Sequence, residues 1–190
     1  MKALARIVVH AGCLGFLSLP LAAQEVIHAL TGAVAAINSN NNAKTITVLQ
    51  DSGAKAEFKE MSTANTSIEF DKKIAAGTTN AIAFSKSGAY AIVFYYGDPD
   101  RTVVALKDLG PGPFTSTDGA VKKFEGRAHS ISVADKTGTL QTFKINASTV
   151  AETDFGVVEG LKFEAREGDQ VRVVSATVDG TLTALFVRDR

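Results

Sequence analysis

The feature of the sequence that most constrains the fold is an internal duplication. Residues 32–34 recur at 119–121 (both Gly-Ala-Val), residues 58–59 recur at 143–144 (both Phe-Lys), and the alternating segment 45–48 recurs at 130–133. The matches keep their order and a nearly constant spacing, which carries Gly53 onto Gly138. A repeat on this scale indicates that one structural unit occurs twice in the chain.

Both units have the pattern of β-strands. Residues 45–48 and 130–133 alternate a hydroxyl residue with a branched aliphatic one, which is typical of a half-buried strand. Gly53 and Gly138 follow these strands, where a hairpin needs a residue that tolerates a positive φ. The longer apolar stretches at 89–96 and 171–174 predict strands buried in a barrel. Residues 156–161 are expected to form a single helical turn or a loop.

A segment rich in glycine and proline separates the two units. It contains two prolines and two glycines within residues 109–113, which cannot continue a helix or a central strand. We expect a first repeat over 24–108, a linker over 109–114 and a second repeat over 115–190. Five strands in about 75 residues, with one crossover after the third, are typical of an OB-like barrel. The sequence therefore predicts a mostly β protein of two tandem five-stranded OB-like barrels, and the alternative is one β-sandwich built from both repeats.

Residues 1–23 have the layout of a secretory signal peptide. Lys2 and Arg6 precede an apolar run that contains Pro20 and ends in Leu-Ala-Ala at 21–23. The run is shorter than the about 20 predominantly apolar residues that a membrane-spanning helix needs. We therefore expect cleavage after Ala23, no transmembrane segment in the mature chain, and a periplasmic or secreted protein.

The mature chain has a balanced charge and no cysteine. Removal of Lys2 and Arg6 leaves 18 basic against 20 acidic residues, a net charge of −2. This balance lacks the basic surface of a nucleic-acid-binding protein, so no nucleic-acid partner is expected. Cys13 lies in the signal peptide, so the mature protein has neither disulfides nor thiol chemistry.

The order of these features carries a family resemblance. A Gly-x-Val start, an alternating strand, a glycine hairpin, a Phe-Lys strand, a Gly-Asp-x-Val-x-Val segment and an Ala-Leu strand follow one another, most clearly from Gly119 onward. This pattern is similar to small exported bacterial OB-like β-barrel domains of unknown function, here duplicated. It is also distantly similar to the periplasmic copper chaperones of efflux systems. The resemblance rests on glycines and barrel aliphatics, so what it implies is the fold.

The distant similarity to copper chaperones implies a metal-binding function, which depends on sulfur and imidazole ligands. The mature chain offers only His28, His129 and Met61, without a His-x-His or Met-x-Met pair. We therefore predict no metal site and no cofactor.

Two aspartate motifs resemble signatures of phosphoryl transfer. Residues 135–140 match the start of the phosphorylation signature of P-type ion pumps, and residues 179–181 match part of a phosphatase motif whose nucleophile position holds Thr177. That chemistry also requires a parallel α/β framework and further catalytic residues. The β-patterned residues after Asp135 do not supply them. Both motifs are therefore predicted to be hairpin turns, and no catalytic residue is predicted.

The sequence favours binding over catalysis. We predict a non-catalytic exported binding module for an envelope or extracellular partner, a protein or a glycan. The alternative is a metal carrier, or a small envelope enzyme whose site the sequence hides.

The candidate partner surface is formed by Tyr90, Tyr95 and Tyr96, the three tyrosines of the chain, because the second repeat has none at the matching positions. Successive strand residues point to opposite faces, so either Tyr95 or Tyr96 should face outward and offer a stacking surface. The alternative is that the three rings cover the open end of the barrel.

Overall fold

The structure is almost entirely β. The computed structural model describes residues 25–40, 43–60, 72–97 and 99–190, and the predicted signal peptide with its cleavage site lies outside them. The first sheet contains β1 (His28–Asn40), β2 (Ala43–Leu49), β3 (Lys55–Glu60), β4 (Thr79–Asn80), β5 (Tyr90–Tyr96) and β6 (Thr102–Asp108), with helix α1 (Lys72–Ala75) before β4. The second contains β7 (Thr115–Glu125), β8 (Ser130–Asp135), β9 (Leu140–Lys144), β10 (Val150–Thr153), β11 (Gly156–Glu159), β12 (Gln170–Val178) and β13 (Thr181–Asp189). Within the described ranges, no helix has the length and apolar character to cross a membrane.

Each sheet closes into a five-stranded barrel. In barrel one the strand order is β3-β2-β1-β5-β6, and β6 closes the barrel by pairing with β3 in parallel. In barrel two the order is β9-β8-β7-β12-β13, and β13 closes the barrel by pairing with β9 in parallel. Both have the five-stranded architecture of an OB-like barrel. The predicted fold class is confirmed.

Each barrel encloses its own apolar core. The core of barrel one includes Val34, Ile46, Phe58, Val93 and Leu106. The core of barrel two includes, at the equivalent positions of the repeat, Val121, Ile131, Phe143, Val173 and Val187. The alternative of one sandwich with a single shared core is therefore wrong, because each sheet closes on itself and its inward-facing side chains pack against one another.

The irregularities of the strands recur along with the cores. β1 bulges against β2 directly after Val34, and β7 bulges against β8 directly after Val121. A Cβ at Gly32 or at Gly119, beside these bulges, would collide with a carbonyl oxygen of the opposite strand. Bulges and glycines bend a strand and let a small sheet close. The recurring glycines of the sequence thus mark equivalent close crossings of the backbone.

A third apolar cluster, here called the inter-barrel cluster, joins the two barrels. It includes Ala29, Ile92, Phe94 and Ala105 of barrel one and Val150, Val174 and Phe186 of barrel two. Strand β5 is consequently buried on both faces, with Val93 in the core of barrel one and Ile92 and Phe94 in the inter-barrel cluster. A strand covered on both faces needs no polar side, which accounts for the continuous apolar stretch at 89–96.

The two barrels differ most between their third and fourth core strands. In barrel two, β10 and β11 form a hairpin, β10 pairs in parallel with β13, and a 3-10 turn (Gly160–Lys162) follows. The expectation of a helical turn or loop over 156–161 is wrong for its first four residues, because pairing with β10 makes them a strand. The Val157 N–H donates a hydrogen bond to the Ile27 carbonyl (2.9 Å), which holds the segment before β1 against barrel two.

Candidate functional site

The three tyrosines proposed as a partner surface lie on β5, between the two barrels. The Tyr95 side chain points into barrel one, where its ring lies 5.2 Å from that of Phe58, and only 6% of the residue is exposed. Tyr90 and Tyr96 are half-buried and pack against the inter-barrel cluster. The expected alternation of Tyr95 and Tyr96 is present, but the outer face of β5 is covered by barrel two.

Tyr90 ties together three segments of the chain. Its ring stacks on that of Phe114 in the connection between the barrels, with 4.9 Å between ring centroids. Its hydroxyl donates a hydrogen bond to Oδ2 of Asp51 in the β2–β3 hairpin (2.7 Å). Burial, reinforced by Asp51, raises the pKa of Tyr90 above its usual range. The phenol therefore stays protonated and serves as a hydrogen-bond donor in this structural contact.

Tyr95 borders a cleft between the two barrels, here called the inter-barrel cleft. The cleft has a volume of about 390 Å³. Its lining combines the segment before β1, the strands β1 and β5, the β5–β6 loop and the strand β13, through Glu25, Val26, His28, Tyr95, Gly97, Arg101 and Arg188. Residues of both repeats are needed to form it. A volume of this size lies within the range of about 300–1,000 Å³ that small-molecule sites occupy.

A hydrogen bond across the barrels holds the imidazole of His28 in place. His28 Nδ1 lies 2.7 Å from Oε1 of Glu152, a residue of β10 in barrel two. The other carboxylate oxygen of Glu152 accepts a hydrogen bond from the Ala29 backbone N–H (2.7 Å). Burial raises the pKa of the Glu152 carboxyl, while the bonds from His28 and Ala29 oppose that rise. Both oxygens of a nearly buried carboxylate are therefore satisfied by β1 of the opposite barrel.

The contact with Glu152 determines which nitrogen of His28 is available for a ligand. When the Glu152 carboxyl is ionised, it selects the His28 tautomer that carries a proton on Nδ1, as a carboxylate does for a metal-ligating or catalytic histidine. Among the described residues, no group forms a hydrogen bond with Nε2. In neutral His28 this nitrogen is an acceptor, and in the imidazolium it is a donor. His28 is thus oriented to contact a molecule in the inter-barrel cleft.

Two arginines add positive charge to the inter-barrel cleft. The guanidinium of Arg101 lies 5.3 Å from the centroid of the Tyr95 ring, a cation–π distance that fixes both groups. Arg188 projects from β13 and is half-buried. Burial raises the pKa of Glu152, and the charge of Arg188 is a minor influence against that rise, although no ion pair joins the two side chains. The lining of the cleft therefore includes two guanidinium groups, one imidazole and an aromatic ring.

The metal ligands considered from the sequence do not form a site in the described part of the chain. His28 is bonded to Glu152, and His129 is exposed in the turn before β8. Met61 lies outside the described residues. Over the described ranges, no group of three or more His, Cys, Asp or Glu side chains could hold a metal ion.

Both aspartate motifs form turns between antiparallel strands. Asp135 Oδ1 accepts hydrogen bonds from the Thr137 hydroxyl (2.6 Å), the Thr137 N–H (2.8 Å) and the Thr139 N–H (2.9 Å), which hold the pKa of Asp135 below its usual range. Asp179 and Gly180 both have positive φ (49° and 75°), as in the type I′ turn of a two-residue hairpin. The prediction of hairpin turns is confirmed at both places.

The inter-barrel cleft is not among the sites predicted from the sequence. His28 and Glu152 are 124 residues apart and belong to different repeats, so no local motif contains them both. One signal was present in the sequence, since Glu152 follows the apolar pair Val150-Ala151 and Arg188 follows the apolar run 184–187. Such residues point to a polar contact that the barrel itself does not require.

Comparison with known proteins assigns no family to the chain. It matches no protein-family model, no curated protein and no solved structure. The residues of the inter-barrel cleft are therefore the basis of the functional proposal.

Proposed function

We propose that the protein is an exported, non-catalytic binding module of the periplasm or the extracellular space. Part of an envelope or extracellular partner, a glycan or a protein segment, is bound in the inter-barrel cleft. The observation that carries this proposal is the hydrogen bond between His28 and Glu152. In this bond, a nearly buried carboxylate orients the imidazole of a residue that lines an open cavity. Preorganised polar groups in a concave site are what ligand binding requires.

The lining of the cleft supports binding more than catalysis. Its described residues include no serine, threonine or cysteine, and the only hydroxyl is that of Tyr95. A nucleophilic mechanism needs such a group within hydrogen-bond reach of its base. The groups present are suited to hydrogen bonding, ion pairing and stacking.

A small envelope enzyme is the second candidate, and the His28–Glu152 pair is the observation that favours it. A histidine oriented by a buried carboxylate can act as a general base. Such an enzyme would have to activate water or an acidic substrate proton directly, without a protein nucleophile.

One experiment tests the proposal and separates the two candidates. The exported protein, whose intact mass should correspond to cleavage after Ala23, is titrated with purified peptidoglycan fragments, envelope oligosaccharides and unstructured peptides while ligand NMR signals are observed. We expect binding of one class by the wild type, loss of that binding in Val26→Trp, whose new ring fills the cleft, and retention in Leu140→Trp. Leu140 is a matched control because it is exposed on β9, outside the cleft.

The outcomes are distinguishable. A ligand recovered with an altered mass after incubation with the wild type would favour the enzyme. Equal binding by Val26→Trp and the wild type would place the binding surface outside the cleft. Failure of all three ligand classes to bind would contradict the proposal.

A further inference from the structure

We infer that the inter-barrel cleft recognises its ligand through an oxyanion, a carboxylate or a phosphate group, with Arg188 as the principal contact. This inference rests on the proposed binding function and specifies the chemistry of the ligand. Three observations support it: the partners of the neighbouring arginines, the other polar groups that line the cleft, and the size of the cavity.

Arg188 differs from the other arginines that surround it. Arg172 lies directly opposite Arg188 on the neighbouring strand β12. The guanidinium of Arg172 donates two hydrogen bonds to the carboxylate of Asp118 (2.7 and 2.8 Å), and Arg190 also reaches that carboxylate (3.2 Å). Arg188 forms no hydrogen bond or ion pair with any described residue. Of the three arginines, only Arg188 has no carboxylate partner among the described residues.

A half-buried guanidinium without hydrogen-bonded partners has a high affinity for an oxyanion. Arginine carries five N–H donors and no acceptor, and withdrawal of its charge from water is unfavourable unless it is paired. A carboxylate or phosphate can satisfy two donors at once through parallel hydrogen bonds. Glu152, whose charge interacts with that of Arg188, does not do this: its two oxygens contact His28 and Ala29, and no ion pair joins it to Arg188.

Arg101 and the His28 imidazole face the same cavity. Arg101 and His28 line it from barrel one, opposite Arg188 from barrel two. Among the residues that the structure describes, the acidic groups at this space are Glu25, which lines it, and Glu152, which contacts His28. Two guanidinium groups thus line one open, concave space, and their positive charges attract an anion to it.

The size of the cavity indicates a ligand larger than a free ion. About 390 Å³ is ample room for a sugar ring or a short peptide in addition to the anionic group. The ligand class is therefore an acidic sugar, a sugar phosphate or a peptide carboxylate, in which the remainder of the molecule extends past Tyr95.

The test uses three defined probes and the mature protein. D-glucuronate supplies a carboxylate, inorganic phosphate supplies a phosphate, and D-glucose is the neutral control. Binding is followed through the NMR signals of the His28 imidazole, the arginine side chains and the backbone amides. We expect saturable shifts at His28 and Arg188 with glucuronate or with phosphate and none with glucose. Whichever anion binds more tightly identifies the group.

Substitutions at Arg188 assign the contact. Arg188→Gln should weaken binding of the preferred anion by roughly tenfold or more, which corresponds to about 1.4 kcal/mol. Arg188→Lys keeps the charge without the paired donors and should bind with intermediate affinity. Arg127→Gln is the matched control, since Arg127 is exposed in the turn between β7 and β8, and it should bind as the wild type does. Backbone amide spectra confirm that each variant is folded, and Arg188→Lys provides the test if Arg188→Gln is not.

Three results would overturn the inference. The first is NMR shifts of equal size with glucose and with glucuronate. The second is an anion affinity that neither Arg188→Gln nor Arg188→Lys changes. The third is non-saturable shifts spread over surface lysines, which indicate an adventitious ion only. The proposed function fails separately. Suppose that an envelope ligand binds the wild type, fails to bind Val26→Trp, and binds Arg188→Gln with the same affinity as the wild type. The cleft then remains the binding site, and only the oxyanion inference is wrong.

Discussion

The two barrels are built alike, but they differ in charge where they face each other. At one pair of opposed strand positions barrel one has Thr31 beside Ile92, whereas barrel two has Asp118 beside Arg172. The next strand over carries Lys107 in barrel one and Arg188 at the equivalent position in barrel two. The core positions of the two repeats have kept their apolar character, while the facing surfaces have diverged.

The basic residues at one pair of equivalent positions have different contacts in the two barrels. Lys107 donates a hydrogen bond to the Ser148 carbonyl of barrel two (2.9 Å), and burial lowers its pKa. The cation of barrel one is therefore used to hold the barrels together. Arg188 has no such partner among the described residues and borders the inter-barrel cleft instead. Equivalent positions thus serve adhesion in one barrel and, by our proposal, recognition in the other.

The largest expected effects are losses of stability from two phenylalanine substitutions, one in the contact between the barrels and one in the core of a barrel. Phe94→Ala, in the inter-barrel cluster, should lower the free energy of unfolding by about 3–5 kcal/mol, because a fully buried ring is removed. Phe143→Ala, in the core of barrel two, should cost a similar amount. Denaturant unfolding measures both, and amide chemical shifts show where each change spreads.

The two phenylalanine variants should differ in that spread. Phe94→Ala should shift amides of both barrels, whereas the shifts of Phe143→Ala should concentrate in barrel two. Shifts from Phe94→Ala that stop at barrel one would show that the inter-barrel cluster does not couple the barrels.

A smaller effect tests the equivalence of the barrels. Gly32→Ala and Gly119→Ala should each destabilise the protein by about 1–3 kcal/mol, because the added methyl group meets a backbone carbonyl of the opposite strand. Gly126→Ala is the control, since its nearest neighbour would be the Phe124 side chain at 3.8 Å. Thermal denaturation compares the three. If only one of the two barrel glycines matters, the crossings of β1–β2 and β7–β8 are not equivalent.

The smallest effect concerns the ion pair found only in barrel two. The hydrogen bonds from Arg172 hold the pKa of Asp118 below its usual range. A carboxyl whose folded-state pKa is depressed contributes stability above its unfolded value of about 3.9, and this contribution is lost as the pH falls through the folded pKa. Because Asp118 is partly exposed, we expect a contribution of about 1 kcal/mol.

Asp118→Asn tests this contribution. Below about pH 4 the melting temperature of the wild type should fall more steeply than that of the variant, because the variant has no proton to bind at this position. Amide exchange near β7 and β12 should become faster on acidification in the wild type, with no matching change near β1 and β5, where Thr31 faces Ile92. Parallel pH profiles for the wild type and the variant would contradict the assignment.

The fold was largely predictable because its determinants are local. The alternation at 45–48 and 130–133 and the turn glycines at 53 and 138 indicate strands and hairpins without knowledge of distant contacts. β11 was not predictable, because a short apolar run between two glycines is compatible with a turn as well as with a strand. Its pairing with β10 makes it a strand. The cleft depends on the docking of the barrels, which brings His28 to Glu152 and leaves no trace in either repeat alone.

Strand β5 makes the two barrels cooperative. One of its faces belongs to the core of barrel one and the other to the inter-barrel cluster, so barrel one cannot open without exposing apolar surface of barrel two. Domains without a shared interface unfold independently of one another, whereas elements that share buried surface tend to unfold together. We therefore expect the duplicated chain to unfold in one cooperative transition, although it contains two complete barrels.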